Sequence, residues 1–127
     1  MYVFSTSEMK GNLYISPSDS RAILESTLSL SGSFVSSPWI SIDGNDAVAI
    51  FKGSTLFDIY GEASVDGSGK SWEYTDSFST RKSETQAGIL WKREDWVVKG
   101  KEYLTSVPNQ AAELIAGLGK FTFAACA

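Results

Sequence analysis

The sequence predicts an all-β fold, an antiparallel sandwich with one or two short helices. Three observations lead there: strand-like apolar runs are short, turn residues interrupt them often, and long helical periods are few. At 127 residues the chain is read as one domain, residues 1–127, because a single core grows to this size before chains split. Hydrophobic residues make up 43% and aromatics 13%, enough to fill that core, so a disordered chain is excluded.

Tyr2 to Phe4 reads as a strand near the first residue. Ser16-Pro17-Ser18-Asp19 then reads as a helix start, with Ser16 as cap, Pro17 in the first turn and Asp19 three residues on. The helix carries Ala22 and Ile23 inward and ends in the Ser-rich segment Ser29 to Ser37, where Gly32 and Pro38 break regular structure. That segment is a surface loop rather than a linker, since Leu28, Leu30, Phe34 and Val35 need burial. Trp39 and Ile40 lead from it toward Asp43.

The clearest element is a hairpin. Asp46 to Lys52 and Thr55 to Gly61 are joined by Gly53-Ser54, and Gly at the first central position is the type II′ choice that matches strand twist. Val48 and Ile50 share one face, and Ala47, Ala49 and Phe51 the other. With both faces apolar, the strand is expected at the centre of a sheet. On the return, Phe57 and Ile59 oppose Leu56, Asp58 and Tyr60. Asp58, a carboxylate among apolar neighbours, is expected to bond backbone N–H groups of a nearby loop. Beyond the loop Glu62 to Lys70, the block Trp72 to Lys82 is read as holding one or two short strands. Trp91 and Trp96 flank a polar turn, a strand runs from Trp96 to Lys99, and Gln110 to Ala116 favours a short helix ended by Gly117 and Gly119, before Phe121-Thr122-Phe123.

The run Gly44-Asn45-Asp46-Ala47-Val48-Ala49-Ile50-Phe51-Lys52, then Asp58-Ile59-Tyr60-Gly61-Glu62, Asp66-Gly67, Trp72-Glu73-Tyr74, Asp76 and Arg81, resembles the lamin-tail domain family in its bacterial and algal form. Trp96-Val97-Val98 with Tyr103-Leu104 looks like that family's closing Trp-containing strand. The likeness covers residues 39–107 clearly and 1–38 in outline; 111–127 lie outside it as a C-terminal tail. It implies an immunoglobulin-like β-sandwich and a non-catalytic accessory role, since such domains occur in nuclear lamins and attached to secreted nucleases and surface proteins. Relatives open with an acidic strand and a second strand that have no counterpart here. Such a gap exposes sheet edges. A homodimer through an edge is therefore expected, with Tyr2, Phe4, Phe121 and Phe123 as candidates for self-association.

Few catalytic chemistries are open to this composition. With no His in the chain, the usual general base and the commonest zinc ligand are missing, and the single Cys126 makes neither a zinc site nor an internal disulfide. Glu62 with Asp66, or Glu73 with Asp76, are carboxylate pairs of the type glycosidases use, but nothing besides their presence recommends them. Gly67-Ser68-Gly69-Lys70-Ser71 ends like a phosphate-binding loop. However, the required first glycine falls on Ser64 and no helix follows, so it reads as a tight turn. Asp43, Asn45, Asp46 and Asp66 are candidate calcium ligands, but turn chemistry accounts for the same residues. Tyr60, Trp72, Tyr74 and Phe78 are binding candidates as aromatic platforms, with core packing as the alternative.

The partner expected on these grounds is a protein or a second copy. A carbohydrate- or calcium-dependent surface module is the alternative function, and a nucleic-acid accessory domain or hydrolase ranks below it. No cofactor and no nucleotide are expected. The net charge of −4 disfavours nucleic acid, and the basic residues Lys92, Arg93, Lys99 and Lys101 are interrupted by Glu94, Asp95 and Glu102. No apolar run approaches the roughly 20 residues that span a bilayer. The N-terminus lacks the pattern of a signal peptide, so a cytoplasmic location is expected for the chain as it stands, although family relatives are often secreted or on the cell surface.

Overall fold

A computed structural model describes residues 13–15, 42–117 and 121–122. These form two small antiparallel sheets and two short helices. One sheet holds β1 (Leu13–Ile15), β4 (Phe78–Arg81) and β5 (Trp96–Val98), in the order β1-β4-β5; the other is the hairpin of β2 (Val48–Lys52) and β3 (Thr55–Tyr60). A 3₁₀ turn, Arg93–Asp95, leads into β5, and helices α1 (Tyr103–Ser106) and α2 (Gln110–Gly117) follow it. Among the described residues no helix is long and apolar enough to cross a membrane. The strand read at Tyr2 to Phe4 and the helix read from Ser16 lie outside the described residues.

The hairpin forms where its turn chemistry places it. Gly53 sits at φ +62 and Ser54 is not among the positive-φ residues, the sign pattern of a type II′ turn. Val48 pairs with Tyr60, Ala49 with Ile59 and Ile50 with Asp58, but Phe51 pairs with Leu56. Phe57 is thus an extra residue in a bulge, which raises the local twist. The pleat turns Val48, Ile50, Asp58 and Tyr60 toward the interior. Ala49, Phe51, Leu56 and Ile59 face the other way.

That face corrects the expectation of a central strand. Among the described residues β2 pairs with β3 alone, and both Ala49 and Phe51 are exposed. Apolar side chains on both faces say that a strand can be covered twice. Whether a second layer reaches it depends on distant parts of the chain. The block Trp72 to Lys82 holds one short strand, β4, which starts at Phe78 after the turn and loop of Trp72 to Ser77. One further reading changes. Tyr103-Leu104 opens a short helix, which Glu102 starts from a left-handed conformation at φ +60. The strand at Trp96 and the helix at Gln110 stand where the sequence placed them.

The core lies where the inner face of the hairpin meets β4 and β5. Val48, Tyr60, Trp72, Tyr74 and Trp96 form one buried cluster, with Ile42, Val65, Trp91 and Val98 packed against it. Two glycines admit the aromatic block to this cluster. Gly44 takes φ +102, where a Cβ would run into the backbone of Thr75, and its carbonyl accepts from the Tyr74 N–H at 2.7 Å. A Cβ on Gly67 would overlap the benzo edge of Trp72, while the Gly67 N–H donates to the Asn45 carbonyl at 2.8 Å.

Candidate functional site

Tyr60 is the centre of the interior. Its ring meets Trp72, Tyr74, Trp91 and Trp96 edge-to-face, with centroids 4.9 to 6.3 Å away. Such T-shaped pairs add to the burial of area because ring edges and faces carry opposite partial charge. Its hydroxyl donates to the Trp72 carbonyl at 2.6 Å and shares a 2.7 Å hydrogen bond with Ser79 Oγ. Tyr60, Trp72, Tyr74 and Phe78 are each no more than 2% exposed. These four candidates therefore present no ring face to a sugar or partner. They are core: a small buried cluster needs large anchors to exclude water.

Burial raises the Tyr60 phenol well above its usual value near 10. Below that value Tyr60 is protonated folded and unfolded alike. As pH climbs from there through the raised folded value, only the unfolded chain releases the proton, so stability falls. Tyr60→Phe is expected to cost about 1–3 kcal/mol at neutral pH, because it leaves the buried Trp72 carbonyl and Ser79 hydroxyl short of a partner. It is also expected to flatten the alkaline decline in urea-unfolding stability above about pH 10. Superimposable pH profiles of variant and parent would contradict this.

Asp58 and Tyr60, two residues apart on β3, face Arg81 and Ser79, two residues apart on β4. The hydroxyl bond of Tyr60 is thus the upper rung of an inter-sheet polar ladder, and Asp58 with Arg81 the lower. Arg81 Nη2 lies 2.5 Å from both Asp58 oxygens, Nη1 donates to the Gln86 carbonyl, and the guanidinium stacks 4.3 Å over the Trp96 ring. Asp58 also accepts from the N–H of Gly88 at 3.1 Å and of Ile59 at 3.0 Å. The backbone partners expected for Asp58 are there, and the cation is the part that sequence reasoning missed. Alternation along Phe78-Ser79-Thr80-Arg81 was the available signal, because it puts Ser79 and Arg81 on one face.

The phosphate-loop lookalike is closed by the chain's own carboxylates. Asp66 Oδ1 accepts from the Ser68 N–H at 2.9 Å, and Glu73 Oε2 from the Gly69 N–H at 2.7 Å. The Ser68 contacts hold the Asp66 carboxyl below the usual range. Glu73 also receives Thr75 Oγ1 at 3.2 Å and lies 3.6 Å from Lys101. The calcium candidates engage in the same way: Asp46 accepts from the Asp43 N–H, Asp43 from the Asn45 N–H, and Asn45 Nδ2 donates to Ser68 Oγ. Among the described residues no group of acidic or sulfur ligands is placed to hold a metal ion.

Of the self-association candidates, Tyr2, Phe4 and Phe123 lie outside the described residues. Phe121 is half-buried, and the adjacent Thr122 is tied to the turn after β4: its carbonyl accepts from Glu84 at 2.7 Å and its N–H donates to Ser83 Oγ at 2.9 Å.

The outer face of the hairpin is open among the described residues. A groove of about 580 Å³ runs between that face and the loop after β3; Ala47, Ala49 and Ile59 lie on one side, Val65 on the other, and Asp46 and Asp66 at its rim. Beyond it along the same face stand Phe51, 58% exposed, and Phe57, 47% exposed. The sequence named none of these apolar residues as a site, because their burial turns on what covers them. Comparison with protein-family models, curated proteins and solved structures finds no match to this chain.

Proposed function

We propose that this chain is a non-catalytic, lamin-tail-like interaction module with an immunoglobulin-like sandwich fold, which binds a protein partner or a second copy of itself through the outer face of the β2–β3 hairpin. The observation that carries this reading is the open apolar face: two phenylalanines about half exposed beside a groove with an acidic rim, on a hairpin whose two strands pair only with each other among the described residues. An apolar patch rimmed by polar groups is the usual mark of a protein–protein contact. Strand edges bind by extending their ladder, with backbone hydrogen bonds for affinity and side-chain pockets for selectivity. The aromatic residues that would suit sugar stacking are in the core, and the loop carboxylates are occupied by backbone N–H groups.

The Phe51→Ser/Phe57→Ser double variant tests this reading. It is expected to keep the parent's tryptophan fluorescence and its melting temperature within a few degrees, because exposed positions away from caps and ion pairs change stability little. It is also expected to lose self-association, and to lose binding to peptides selected from a random displayed library on the parent. Self-association or selected peptides that persist on the double variant, or the absence of both from the parent, would reject the face as a binding surface.

A further inference from the structure

The segment Asp46-Ala47-Val48-Ala49-Ile50-Phe51-Lys52 is complementary to itself when run antiparallel. We infer that the occupant of the hairpin face is a second copy of this chain, paired β2 to β2 about a two-fold axis through Ala49, with each Phe51 opposite the partner's Ala47 and each Asp46 opposite the partner's Lys52. This rests on the reading of the face as a binding surface and adds the identity of the partner and the register.

Four features specify that register. The first is the backbone. Lys52 and Thr55 flank the two-residue turn and so form its hydrogen-bonded pair, and alternation then turns the N–H and C=O groups of Ala49 and Phe51 away from β3. A two-fold axis at Ala49 sets those outward groups against one another. The second is shape. Ala47 and Ala49 are the small residues along the groove, and Phe51 is a projecting ring on the same face; the register seats each ring in the other copy's groove. Such reciprocity is what an isologous contact requires.

The third is charge. Asp46 stands at the groove rim with Asp66, and the exposed Lys52 at the far end of the strand has no carboxylate partner among the described residues. The two-fold sets each Lys52 directly opposite the other copy's Asp46, on the same side of the pleat. Opposite charges in directly facing strand positions favour pairing, and like charges there oppose it. The fourth is the edge itself. Among the described residues β2 has β3 as its one pairing partner; such an edge with an apolar face is a template for another chain, and neither proline nor an inward-facing charge lies between Val48 and Phe51. A contact confined to the segment Asp46 to Lys52 and its face lies at the small end of interface sizes, where weak, transient association is found.

Sedimentation equilibrium of the full chain across roughly 1–200 µM, the range in which small interfaces assemble, reads the result directly. The parent is expected to shift from monomer to dimer. Asp46→Lys and Lys52→Asp, each alone, place like charges at both ends of the interface and are expected to weaken the dimer by roughly tenfold or more. Mixing the two variants in equal amounts sets each introduced charge against its opposite and is expected to restore dimer, which no general loss of folding would do. A parent dimer that neither variant weakens, or two weakened variants that fail to recover on mixing, overturns the register. A parent that stays monomeric while selected peptides still bind its Phe51 face overturns the second copy as occupant and leaves the face as a binding surface. A monomeric parent that selects no such peptides overturns both.

Discussion

Arg81→Met is expected to destabilise the fold by about 3–5 kcal/mol, because it takes the guanidinium away from the buried Asp58 carboxylate. The pair is almost wholly buried, with side chains 6% and 2% exposed. Coulombic attraction there is strong, but so is the cost of taking both ions out of water, so the pair as a unit contributes much less than the loss of either member. Asp58→Asn is expected to cost a similar amount, since it leaves the guanidinium facing a neutral amide. The double variant Asp58→Asn/Arg81→Met is expected to recover a large part of the loss, because both charges of the pair are then removed together. Urea unfolding followed by tryptophan fluorescence measures all three. A cost below about 1 kcal/mol for Arg81→Met would place the pair among surface ion pairs in its effect and refute the ladder as a structural device.

Trp72→Ala is expected to cost about 3–5 kcal/mol, the range for emptying a large aromatic site. The indole is 1% exposed, packs edge-to-face with Tyr60, and lies against Gly61 and Gly67. Its carbonyl also anchors the Tyr60 hydroxyl, so displacement of this segment reaches the upper rung of the ladder. The glycine contact gives the prediction a second measurement. Gly67→Ala drives a methyl group into the benzo edge of the ring and is expected to cost about 1–3 kcal/mol. In a Trp72→Phe background, where that edge is gone, the same substitution is expected to cost less, with a coupling of about 1 kcal/mol between the two sites. Thermal unfolding of the four chains gives the cycle, and strict additivity would mean that the ring and the loop do not pack as described.

Much of the local structure was legible because it rests on short-range chemistry. Gly53-Ser54 dictates its own turn, Val48 to Lys52 and Thr55 to Tyr60 carry β-branched and aromatic residues on either side, and Gln110 to Ala116 has helix-forming composition. Turn-forming Asp and Asn residues near Asp43 were equally readable, since their side chains bond backbone a few residues away. The short helix at Tyr103 was not, because its backbone bonds run to remote loops: the Glu102 N–H donates to the Thr75 carbonyl and the Leu104 N–H to that of Asp76. The aromatic candidates show the same division. Composition told that Tyr60 and Trp72 are large anchors, and only packing could say that their faces are turned inward.

From the sequence alone come the hairpin and its turn, the strand at Trp96, the helix at Gln110 and the lack of His-based or paired-Cys chemistry, all consequences of neighbouring residues or of composition. The tertiary structure decided which face of the hairpin is covered, that Arg81 rather than backbone alone answers Asp58, and that the Gly67 loop is filled by Asp66 and Glu73. Each of these depends on groups brought together across the fold, where burial and desolvation rather than local propensity set the energy. A strand with two apolar faces carries the same residues whether it ends up inside a sheet or at its edge, and here the fold left one of those faces open.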